Sequence, residues 1–76
     1  MVTAFVMVVS EPGKEKELAE ELRRLPQVKQ LWEVYGEYDI VARLGVESLQ
    51  VLDSFVREKI RRMTSVRLTT TMISVE

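Results

Sequence analysis

Gly36-Glu37-Tyr38-Asp39 is the tetrad whose residue types and spacing could do chemistry. It lies between two apolar runs as a turn, and its members could hold a small polar ligand. Gly36 can adopt a positive φ and lets a ligand approach the backbone, and amides of such a turn can receive a carboxylate. Thr69 and Thr71, two apart in a β-branched tail, share one strand face and could add hydroxyl donors and acceptors. This is the chemistry of binding. Histidine and cysteine are both absent, which removes the commonest general base, the commonest metal ligand, the thiolate nucleophile and any disulfide framework. The residues point to a non-catalytic protein with no metal and no cofactor. Asp39 has a second reading, as a hairpin residue bonding nearby backbone amides, and the threonines as ordinary strand formers.

The elements that must position these residues are legible as periodicities. Val2 to Val9 has the composition of a strand apolar on both faces. Ser10-Glu11-Pro12-Gly13 supplies turn residues, and a helix follows with Leu18, Leu22 and Leu25 at helical spacing, ended by Pro26. Val28 to Tyr35 alternates as a second strand, and Asp39 to Val46 as a third, joined through Gly36 as a hairpin. After Ser48 a second amphipathic helix places Leu49, Leu52, Phe55, Val56, Ile60 and Met63 inward. Val66 to Val75 is the fourth strand.

Strand, helix, strand, strand, helix, strand is the split βαβ plan: an α+β, ferredoxin-like βαββαβ sandwich, with two helices on one face of a four-stranded antiparallel sheet. The other face is uncovered. The first strand offers Val2, Ala4, Val6 and Val8 on one side and Thr3, Phe5, Met7 and Val9 on the other, so either choice leaves apolar groups exposed. A chain of 76 residues is one domain that buries only about 60% of its unfolded surface, so extra burial helps. A sheet-to-sheet homodimer of the dimeric α/β-barrel type is expected.

The composition narrows the partners. With 30% charged residues and a formal net charge of -1, no global field draws the chain to nucleic acid or an anionic membrane. No apolar run approaches the ~20 residues of a membrane span, and the start lacks a basic signal segment, so the chain reads as soluble and cytoplasmic. Pro12-Gly13-Lys14 lacks the second glycine and Ser/Thr of a phosphate loop. An RNA-binding sheet of this topology needs aromatics on its first and third strands, and the third has none.

Pro12-Gly13 before a leucine-striped helix, Pro26-x-Val28, Gly36-x-Tyr38-Asp39, Phe55, and Val66 followed by Thr69 and Thr71 resemble the Lrp/AsnC-type ligand-binding module, the RAM domain. The resemblance runs nearly end to end. It implies a subunit that dimerises through its sheet and assembles into larger rings. Small amino-acid effectors would sit between dimers, at a site built from Gly36, Glu37, Tyr38, Asp39, Thr69 and Thr71. Asp39 would face the α-ammonium group and Tyr38 would supply a wall or a hydrogen bond. In that family the module follows a DNA-binding domain, whereas the module here takes up all 76 residues. The expectation is therefore a stand-alone module without direct nucleic-acid contact, acting through a full-length regulator of the same type. Tyr35 stands where the family often has a small hydroxyl residue, so effector identity does not transfer. Two alternatives share the topology: an ACT-like amino-acid-binding domain, with its ligand near Gly13, and a small dimeric α/β-barrel enzyme.

Overall fold

The computed structural model describes residues 1–75. Four strands, β1 (Val2–Ser10), β2 (Val28–Glu33), β3 (Ile40–Val46) and β4 (Val66–Ile73), form one antiparallel sheet in the order β2-β3-β1-β4. Helix α1 (Glu15–Arg23) connects β1 to β2, and α2 (Leu49–Phe55) precedes β4. This is the ferredoxin-like α+β fold expected from the element order.

The parity that the sequence left open is decided by β1. Ala4, Val6 and Val8 are fully buried, as are Ile40, Ala42 and Leu44 of β3, and these pack beneath Leu18, Ala19 and Leu22 of α1 and Leu52 and Phe55 of α2. Small side chains on the two central strands let the helices approach closely, so the covered face is the one with Ala4 and Ala42. The larger Phe5 and Met7 are left on the opposite, uncovered face. Register confirms the sorting, because directly paired residues share a face: Phe5 pairs with Arg43 and Met72, Met7 with Val41 and Thr70, and Val9 with Leu68. Trp32 of β2 pairs with Val41 and completes that open face at one edge.

Three details differ from the sequence reading. The second and fourth strands end earlier, at Glu33 and Ile73, and Asp39 lies just before β3. Leu49, expected inward, is 57% exposed. It lies in the first turn of α2, and that helix packs over β1 and β3, short of the edge strand β4. Lastly, α2 runs into a π-helical turn, Val56–Ile60, closed by a bond from the Arg61 amide to the Val56 carbonyl (2.8 Å). The wider turn lets Phe55, Val56 and Ile60 all reach the core.

Candidate functional site

The connection from β2 to β3 is closed by the Val34 amide, which donates to the Asp39 carbonyl at 2.9 Å. Within it Gly36 has φ +119°, a backbone region where side chains are strained, and a Cβ there would meet nothing within 4 Å. The glycine therefore serves backbone shape and leaves the turn open to solvent.

Asp39 is fixed from two directions. Its amide donates to the Val8 carbonyl at 2.9 Å, and its Oδ2 accepts from the Ser10 amide at 2.9 Å and the Ser10 hydroxyl at 3.4 Å. Ser10 is buried, and the pairing of β1 with β4 is irregular between Val9 and Ser10, so the Ser10 amide takes a side-chain acceptor beside the ladder. The hairpin reading of Asp39 thus describes its contacts: the carboxylate ties the end of β1 to the start of β3.

Tyr38 points the other way. Its hydroxyl lies 3.2 Å from Oγ1 of Thr70, so the side chain reaches past β1 to β4 over the open face. Thr69 and Thr71 pair with Val8 and Val6 and share the helix-side face of the sheet. The structure therefore brings Gly36, Glu37, Tyr38 and Asp39 together as one turn and places Thr70 beside them, with Thr69 and Thr71 on the opposite side. Glu37 is exposed. The alternation of β4 carried this information, but only once the parity of β1 was known.

Next to the turn, on the helix side, a cleft of about 310 Å³ is lined by Glu15, Glu33, Val34, Tyr35 and Asp39. Glu15 opens α1 and Glu33 ends β2, so two element termini converge on the Asp39 clamp. Ser10, Glu15 and Glu33 were not singled out by spacing, because each is a generic turn or surface residue until the fold gathers it. Three carboxylates make the cleft electronegative and suited to an ammonium group, while the amides of the adjoining turn suit an anion. Among the described residues no group of acidic side chains is placed to hold a metal ion, and no helix is long and apolar enough to cross a membrane.

A family model described as the Lrp/AsnC ligand binding domain matches residues 3–76. An uncharacterised HTH-type transcriptional regulator of Pyrococcus abyssi, PYRAB01370, is 38% identical over 72 residues, covering 95% of this chain and 46% of that protein. The chain thus spans about half the length of the curated relatives it matches. Among solved structures, FFRP-DM1 superposes with a TM-score of 0.96 at 45% identity, covering 99% of this chain and 100% of that one. The transcriptional regulator NMB0573 of Neisseria meningitidis, solved as its L-Met complex, has the same fold: TM-score 0.91 at 18% identity, over 99% of this chain and 50% of that one. With the βαββαβ sheet and the Gly36-x-Tyr38-Asp39 turn in place between β2 and β3, these matches favour the Lrp/AsnC reading over the ACT-like one. The chain belongs to the Lrp/AsnC ligand binding domain family.

Proposed function

We propose that this chain is a non-catalytic module that binds an amino-acid effector at the turn between β2 and β3 and converts occupancy into subunit association, thereby modulating transcriptional regulators of its own family. The observation that carries this reading is the placement of an electronegative cleft directly beside an open glycine turn. An α-amino acid presents both charges at once: its ammonium suits the cleft of Glu15, Glu33 and Asp39, and its carboxylate suits the turn amides. The L-Met complex of the Neisseria regulator supports this ligand class for the shared fold. Tyr38 and Thr70 link the turn to the open sheet face, which gives occupancy a route to the surface expected to dimerise. A full-length regulator is the partner class this reading requires, as the curated relatives are HTH-type regulators.

The test is titration calorimetry of the twenty amino acids against the wild-type chain, Glu33→Gln and Tyr38→Phe, with sedimentation of each at micromolar concentration. Binding of one or a few amino acids, weakened at least several-fold by Glu33→Gln, is the expected result. No heat from any amino acid at millimolar concentration would sink the effector half of the reading. A wild-type chain that sediments as a monomer would sink the assembly half.

A further inference from the structure

The net charge of -1 averages over an uneven distribution. Of the 11 Lys and Arg residues, Arg57, Lys59, Arg61, Arg62 and Arg67 fall within one short segment, which holds only Glu58 of the 12 carboxylates. All five cations are exposed. Arg57 pairs with Asp53, and among the described residues no carboxylate lies within ion-pair distance of the other four. The negative end of the helical segment accounts for cations as far as Arg62. It does not account for Arg67, which lies on β4.

The position of Arg67 comes from the irregularity in the sheet. Leu68 pairs with Val9 and Val66 with Ser10, so Arg67 is the extra residue of a bulge and has no partner on β1. A bulge bends its strand and re-aims a side chain. Here Arg67 and Arg61, the residue that closes the π-helical turn, line one cleft of about 190 Å³ with Val66, Leu68 and Thr69. The loop between the two arginines is tied down. The Glu11 amide donates to the Ser65 carbonyl at 2.8 Å, the Val66 amide donates to the Met63 carbonyl at 3.1 Å, and Ser65 is buried. Two carboxylates belong to the surroundings: Glu58, one helical turn before Arg61 and Arg62, and Glu11, beside Ser65. A third, Asp39, is held on Ser10 from the β3 side and so lies across β1 from the cleft.

We propose that this cleft binds a phosphate group, with Arg61 and Arg67 as its two guanidinium forks and Thr69 supplying a hydroxyl. A guanidinium donates two parallel bonds to one oxyanion. One fork therefore fills a carboxylate, whereas the non-bridging oxygens of a phosphate monoester can receive both. The cleft is smaller than the roughly 300–1,000 Å³ pockets that enclose whole small molecules, so it takes the phosphate and leaves the rest of the ligand outside. A mononucleotide and a nucleic-acid backbone both present that chemistry. The site is complete within one subunit and is separate from the turn between β2 and β3.

Nuclear magnetic resonance tests this on the intact chain, by following amide and arginine Nε–H signals at constant ionic strength. The probes are inorganic phosphate, AMP, a short single-stranded DNA, and acetate as the carboxylate control. The phosphate compounds are expected to shift Arg61, Arg67 and Thr69 saturably, and acetate to leave them unmoved. Arg61→Gln and Arg67→Gln should each weaken AMP binding by about five- to tenfold, as expected for the loss of a charge-assisted bond at an exposed site. Lys16→Gln makes the same charge change on exposed α1 and should alter the affinity by less than about twofold. Arg67→Lys keeps the charge without the fork, so it should resemble Arg67→Gln more than wild type. Circular dichroism establishes that each variant folds. DNA binding at least about tenfold tighter than AMP, with a steep loss on adding salt, would assign the phosphate to a nucleic-acid backbone. Equal affinity would assign it to a free phosphate ester. The proposal is overturned by an absence of saturable shifts at millimolar phosphate and AMP, or by an equal response to acetate. Equal weakening by Lys16→Gln would overturn it in favour of a diffuse positive field, and wild-type affinity in Arg67→Lys would overturn the two-fork geometry.

Discussion

At Asp39 the ligand reading and the structural reading meet on one carboxylate, and the two can be separated by substitution. The Ser10 amide is buried and depends on Oδ2, so Asp39→Ala leaves it without its acceptor, at a cost of about 1–3 kcal/mol. Asp39→Asn retains an acceptor oxygen and should cost less than about 1 kcal/mol. Urea denaturation of the two variants checks the ordering, and equal losses would mean that charge, and not the acceptor, holds the turn. Gly36 makes a parallel case with a different cause. Because a Cβ there meets nothing, Gly36→Ala should lose about 1–3 kcal/mol purely through backbone strain at φ +119°, and an unchanged midpoint would show that the turn relaxes. Gly36 and Asp39 were legible from residue type alone, since glycine and aspartate have distinct turn chemistry. Thr70 was not. Both faces of β1 are apolar, so nothing in the sequence said whether odd or even residues of β4 accompany Tyr38. The answer came from packing: Ala4 and Ala42 admit the helices, and Phe5 and Met7 do not sit beneath them.

The two helices differ in how they begin, and their stabilities should respond accordingly. Ser48, extended at φ -152° and ψ 168°, accepts from the Val51 amide at 3.1 Å and so satisfies one of the otherwise unpaired first-turn amides of α2. Ser48→Ala should cost about 1 kcal/mol. Lys14 stands at the corresponding position of α1 with no side-chain cap and a positive charge beside the positive end of the helix dipole. Lys14→Asp should stabilise by about 0.5 kcal/mol, after the loss of an exposed pair with Glu17 that is worth little. Thermal melts of both variants check this, and a stabilised Ser48→Ala or a destabilised Lys14→Asp would contradict it. Helix existence was readable from the leucine spacing of α1 because Leu18 and Leu22 fall on one buried stripe. The course of α2 was less readable. Leu49 keeps the period of Leu52 and Phe55, yet it lies over an uncovered edge of the sheet, which periodicity along the helix does not report, and the π-helical turn after Phe55 leaves no mark in the apolar pattern.

For the whole molecule the controlling fact is that, among the described residues, a four-stranded sheet carries two helices on one face and nothing on the other. Phe5, Met7, Val9 and Val41 lie there half-buried, with Trp32, Leu68 and Met72 more exposed around them. Covering such a patch gains roughly 25 cal/mol per Å² before the entropy of association is subtracted, and a chain of this length has little other means of adding to its core. The proposed sheet-to-sheet association would become part of folding stability, and the melting temperature should then rise with protein concentration by mass action. Phe5→Glu separates the interface from the subunit. Arg43 lies directly opposite Phe5, so the new carboxylate finds a partner within the monomer, whereas a second sheet laid on the face would have to desolvate it. The expected outcome is a folded variant whose sedimenting mass is half that of wild type at the same concentration, and whose melting temperature depends less on concentration. If an effector acts on this association, linkage requires the converse: the wild-type chain should bind it more tightly at high protein concentration than at low, by the same factor by which it promotes assembly. Phe5→Glu should hold one affinity throughout. Equal concentration dependence in both proteins would place the coupling at another surface, and none in wild type would mean that binding and assembly are independent.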